Sequence, residues 1–133
     1  MKKQGWVGLL FILIFTSFPV VGQQADLEGI WHDTRAPDQY YVVRFNGDRM
    51  VMINLVHIEL FGDSLSAAYI GKTSVPEQAL LQADLRPIKK QSTLNSTVRA
   101  VFNSDMSLTL YECNEANFDD CVVGIIVELE KVF

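Results

Sequence analysis

The chain has 133 residues, 49% of them hydrophobic, and sixteen acids against eleven bases give it a net charge of −5. That length suits one domain. An acidic balance of this size repels nucleic acid and anionic lipid, keeps a protein soluble, and draws basic proteins or cations.

The first residues read as an export signal. Lys2 and Lys3 precede an apolar run from Trp6 to Phe15, then a proline and small residues, the order of a secretory signal peptide. The run is shorter than the roughly 20 residues that a membrane-spanning helix needs. Val20 and Gly22 place cleavage after Gly22, with Ala25 as the second choice. The expected organisation is therefore a signal peptide at 1–22 and one domain at 23–133, exported to a periplasm or the extracellular space, with no membrane insertion of the mature chain. Loss of the two lysines leaves nine bases against sixteen acids, a charge of −7. In an oxidising compartment the only two cysteines, Cys113 and Cys121, are expected to pair. The bridge would close a nine-residue loop and stabilise the fold by about 2.5 kcal/mol on the chain-entropy account.

From Leu27 onward period-two alternation predicts strands throughout and no amphipathic helix longer than two turns. "LEGIWHD" places Gly29, Trp31 and Asp33 on one face with Leu27, and "QYYVVRF" groups Tyr41, Val43 and Phe45. Asn46-Gly47 is a hairpin signal before "RMVMINLVHI", which is apolar on both faces and so expected to be partly covered or to form a subunit contact. "DSLSAAYIGK" carries small residues that leave space. "QALLQADLRP" points Leu81, Ala83 and Leu85 inward, and "TLNSTVRAVF" points Leu94, Val98, Ala100 and Phe102 inward against Asn95, Thr97 and Arg99. "MSLTLYEC" offers Met106, Leu108 and Leu110, and "CVVGIIVELEKVF" offers Val123, Ile125, Val127 and Leu129. Eight strands on short links imply antiparallel neighbours, and such a set closes into an up-and-down barrel that removes exposed edges.

Gly29-x-Trp31 on the first strand, followed by this meander, resembles the lipocalin and related calycin barrels. That resemblance implies a floor closed by the Gly-x-Trp and an open mouth for a small apolar ligand. The chain is shorter than a typical lipocalin and shows no helix after its last strand. The stretch "SAAYIGK" is also similar to the Ser-Gly-x-x-Tyr stretch of small exported barrels that inhibit lysozyme, with Ala67 in place of the glycine and a different cysteine spacing, so no functional residue is carried over.

In a meander the links after the first, third, fifth and seventh strands share one end, and these are the longer and chemically richer loops. Binding groups on a rigid scaffold belong on such loops. Two surfaces follow. The inward aromatic residues Trp31, Tyr41, Tyr69 and Phe102 are candidates to hold a small apolar ligand. Glu115, Phe118, Asp119 and Asp120 of the disulfide loop are candidates to dock a basic protein, with Phe118 either an apolar anchor or folded back over the barrel mouth. "NEANFDD" lacks the Asp-x-Asp-x-Asp-Gly order of a calcium loop, and neither His nor a further Cys completes a zinc set. No metal or other cofactor is expected. His32 and His57 belong to no nucleophile–base arrangement, so the expected role is non-enzymatic. Asn95-Ser96-Thr97 fits the glycan acceptor pattern, which has meaning only in a eukaryotic secretory route.

Overall fold

The computed structural model describes residues 20–58, 62–88, 97–113, 118, 121 and 125–133. After helix α1 (Val20–Leu27) come β1 (Gly29–Asp33), β2 (Gln39–Asn46), β3 (Arg49–Ile58), β4 (Gly62–Ser74), β5 (Leu81–Pro87), β6 (Thr97–Phe102), β7 (Leu108–Cys113) and β8 (Ile125–Lys131). The eight strands pair in chain order as an antiparallel meander and close into a barrel where β1 meets β8. Bulges interrupt the β3–β4 register at Asn54/Leu55 and the β7–β8 register at Leu110/Tyr111.

The predicted inward faces form the core. Trp31, Tyr41, Val43, Leu81, Ala83, Leu85, Val98, Ala100, Phe102, Leu108, Leu110, Val127 and Leu129 are all buried. Met50 and Met52 join them, and the outward residues of β3, Val51 and Ile53, are half-buried.

Three expectations are corrected. Leu27 ends α1 rather than extending β1, and this eight-residue helix spans both expected cleavage points. The β2–β3 turn centres on Gly47-Asp48, because Asn46 pairs with Arg49. Gly47 has φ 62°, and a positive φ at the first central position suits a type II′ hairpin. Met106 is 42% exposed, since it occupies the tight β6–β7 turn at φ 65° instead of starting β7. Thr97 keeps its expected outward face, shared with Arg99, yet is buried at the register position opposite Cys113. Residues 1–19, Leu94, Asn95 and Val123 lie outside the described residues, and with them most of the expected signal peptide and the glycan acceptor.

One end of the barrel is a stitched floor. The Trp31 indole N–H donates to the Leu27 carbonyl at 3.1 Å, and its ring meets Phe102 edge-on at 5.5 Å. Gln24 Nε2 donates to the Gly47 carbonyl at 3.0 Å, tying α1 to the β2–β3 turn. Glu28 accepts the Phe45 N–H at 2.7 Å and pairs with Arg44 at 3.1 Å. Gly29 has φ 136°, and a Cβ there would overlap the Phe133 carbonyl, which accepts the Ile30 N–H at 2.9 Å. The Gly-x-Trp pattern thus has a local reason: the glycine lets the segment after β8 pass close to β1, and the tryptophan seals the end.

Candidate functional site

The opposite end is where the polar interior lies. Opposed residues in an antiparallel pair share a face. The register places Asn54 between Tyr41 of β2 and Ala67 of β4, so it points inward with Tyr41. Tyr69 stands two residues further along β4, and Glu112 continues the inward face of β7 beyond Leu108 and Leu110.

These groups sense one another. Burial pushes the Tyr41 hydroxyl up to about 12 from its usual 10.0, helped by the charge of Asp33 and by Tyr69. Burial also raises Tyr69, with a contribution from the nearby Glu112 carboxylate. Both phenols therefore remain neutral donors at physiological pH. Tyr41 reaches Gln39 Oε1 at 3.4 Å, and the buried Asp33 accepts the Arg35 N–H at 2.8 Å. Asn54 Oδ1 is shielded from solvent and accepts no hydrogen bond. A shielded amide oxygen without a donor costs about 1–3 kcal/mol, and native structures leave few such groups unexplained.

The four aromatic candidates separate into two pairs. Trp31 and Phe102 are both 0% exposed and pack against each other in the floor. Tyr41 and Tyr69, at 5% and 7% exposure, line the upper interior. Asn54 and Gln39 are groups beside them that the strand reading missed, whereas it placed Asp33 on the inward face with Trp31. For Asn54 the signal was present, since in "RMVMINLVHI" it follows Met50 and Met52 at period two as the one polar residue on the inward face.

Tyr41 provides a pH test. Its folded pKa lies above its unfolded value, so the folded state holds the proton more tightly. The stability this contributes is intact below pH 10 and is lost as pH rises towards about 12. Ultraviolet titration of tyrosinate should show a late step that Tyr41→Phe removes. Urea unfolding of that variant should lose part of the alkaline decline. An unchanged late step would place the buried phenol elsewhere.

The disulfide loop begins as expected. Cys113 and Cys121 are bonded, with S–S at 2.08 Å. Glu115, Asp119 and Asp120 lie outside the described residues. Phe118 is half-buried and lies against the outer wall of β5, where the exposed Arg86 guanidinium stands 5.2 Å from its ring centroid. His32 is outward, beside Tyr40 at 5.0 Å and Glu130 at 3.8 Å. The side chain of His57 is outside the described set. Among the described residues no group of three His, Cys, Asp or Glu side chains could hold a metal.

No protein family, curated protein or solved structure matches this chain in the comparisons made.

Proposed function

We propose that the protein is an exported, non-enzymatic binding barrel that holds a small ligand in its upper interior, in the manner of the lipocalin-like barrels its Gly29-x-Trp31 resembles. The observation that carries this reading is Asn54 Oδ1, shielded and without a donor, beside the neutral phenols of Tyr41 and Tyr69. A ligand with an apolar body and one N–H or O–H donor satisfies that oxygen and accepts from the Tyr69 phenol, while the Tyr41 hydroxyl donates to Gln39. Small-molecule sites commonly combine an apolar lining with a few such convergent polar groups. Trp31 and Phe102 support the site from below without touching the ligand. The closed Cys113–Cys121 bridge and the signal-like N-terminus support export.

A second reading makes the disulfide loop a docking surface for a basic protein. It is favoured by the bridge and by the seat of Phe118 on Arg86, which together anchor the loop on the barrel wall.

Native mass spectrometry of protein exported by its own route tests the first reading. Extra mass that leaves on denaturation, and is absent from Asn54→Leu, is the expected result. The same substitution should raise the stability of the ligand-free protein by about 1 kcal/mol, because it removes an unsatisfied buried acceptor. A ligand-free mass for the wild type would transfer the assignment to the disulfide loop.

A further inference from the structure

The outer wall of β3–β5 carries a charge arrangement that the acidic composition hides. Arg49 pairs directly with Lys72, and Lys72 directly with Asp84, in one cross-strand row; Ile70 pairs with Arg86 in the next. Like charges placed opposite each other on a sheet repel. The single carboxylate of the row does not offset them, because Asp84 is held by Arg99 through two bonds of 2.7 and 3.1 Å. Among the described residues Arg49, Lys72 and Arg86 form no ion pair.

These three cations, together with Asp84 in its bonds to Arg99, line a groove of about 480 Å³, within the range of small-molecule sites. Ile70 and the backbone of Gly71 contribute its apolar lining, and the Phe118 ring, stacked on Arg86, forms one wall. We propose that this groove binds a small organic anion with a flat apolar ring. The anionic group lies between Arg49, Lys72 and Arg86, and the ring lies against Phe118 and Ile70. Arginine suits this role because its planar fork meets phosphate, sulfate and carboxylate oxygens in pairs while stacking on an aromatic face. The disulfide acquires a purpose here, since bridging Cys113 to Cys121 limits where Phe118 can go. This site is separate from the upper interior and does not depend on it.

Amide-resolved NMR titration of the folded protein with phenyl phosphate, and separately with inorganic phosphate, tests it. Saturable shifts are expected at Ile70, Gly71, Lys72 and Arg86. Arg49→Gln and Lys72→Gln should each weaken phenyl phosphate about fivefold, as loss of one screened charge contact implies. Phe118→Ala should weaken phenyl phosphate and leave inorganic phosphate unchanged. Absence of saturable shifts at these amides, or affinity unchanged in the Arg49→Gln/Lys72→Gln double variant, would overturn the site. Equal affinity for the two phosphates would overturn the part assigned to the ring.

Discussion

Trp31→Ala should lower the unfolding free energy by about 3–5 kcal/mol, the range for truncating a buried tryptophan. Trp31 is fully buried, and its loss removes three things together: the ring's own burial, its edge contact with Phe102, and the indole N–H that satisfies the Leu27 carbonyl. Phe45 also packs on Phe102, at 5.9 Å, so the cavity opens beside a second aromatic pair. Single domains are stable by roughly 5–15 kcal/mol, which makes this loss a large share of the total. Trp31→Phe separates the contributions. It keeps most of the ring and loses the hydrogen bond, for an expected cost of about 1–2 kcal/mol. Urea unfolding should be followed by circular dichroism, because Trp31 is the only tryptophan in residues 23–133. A loss below about 1 kcal/mol for the alanine variant would mean that the floor is not sealed by this side chain.

Gly71→Ala should cost about 3 kcal/mol, the upper part of the range for overpacking. Gly71 stands between Met50 and Leu85 in the register, and a Cβ there would overlap the Asp84 carbonyl. The obstacle is strand backbone, which cannot rotate away as a side-chain tip would. β4 and β5 would have to separate, and the hydrogen bonds between them would lengthen. Gly47→Ala is the useful contrast. Nothing lies within contact distance of a Cβ there, so its cost comes from the φ of 62° alone. If Gly71→Ala unfolds at the same urea midpoint as the wild type, close approach of the β4 and β5 backbones is not what requires the glycine.

Much of the architecture was legible because a closed meander imposes one rule on every strand: alternate residues face in. That rule, with short links, predicted eight strands, their order and nearly all of the core. It could not separate inward residues that fill from inward residues that bind. Trp31 and Tyr41 are identical by that rule and directly paired in the register, yet one seals the floor and the other lines the upper interior. Local backbone detail was also out of reach. The phase of the Gly47-Asp48 turn and the displacement of Met106 depend on φ values that the hydrophobic pattern does not encode. α1 was hidden because its residues fall where the sequence reads as the end of an export signal. The seat of Phe118 required the sheet itself, since the meander sets β7 one strand beyond β6 and so carries the disulfide loop within reach of Arg86 on β5.

The β1–β8 seam has a kinetic consequence. Lys131 Nζ reaches the Asp26 carbonyl at 2.6 Å across 105 positions of chain, and the two strands that meet there are the first and the last. The barrel cannot close before β8 is available, so until then the sheet has two unpaired edges. Contacts of such long sequence separation make folding slow, and open edges invite pairing with other chains. Joining the segments beside the seam and opening the chain at the Gly47-Asp48 turn would make β8–β1 a local hairpin and hand the long-range closure to β2 and β3, so such a permutant should keep a slow closing step and change only which edges wait open.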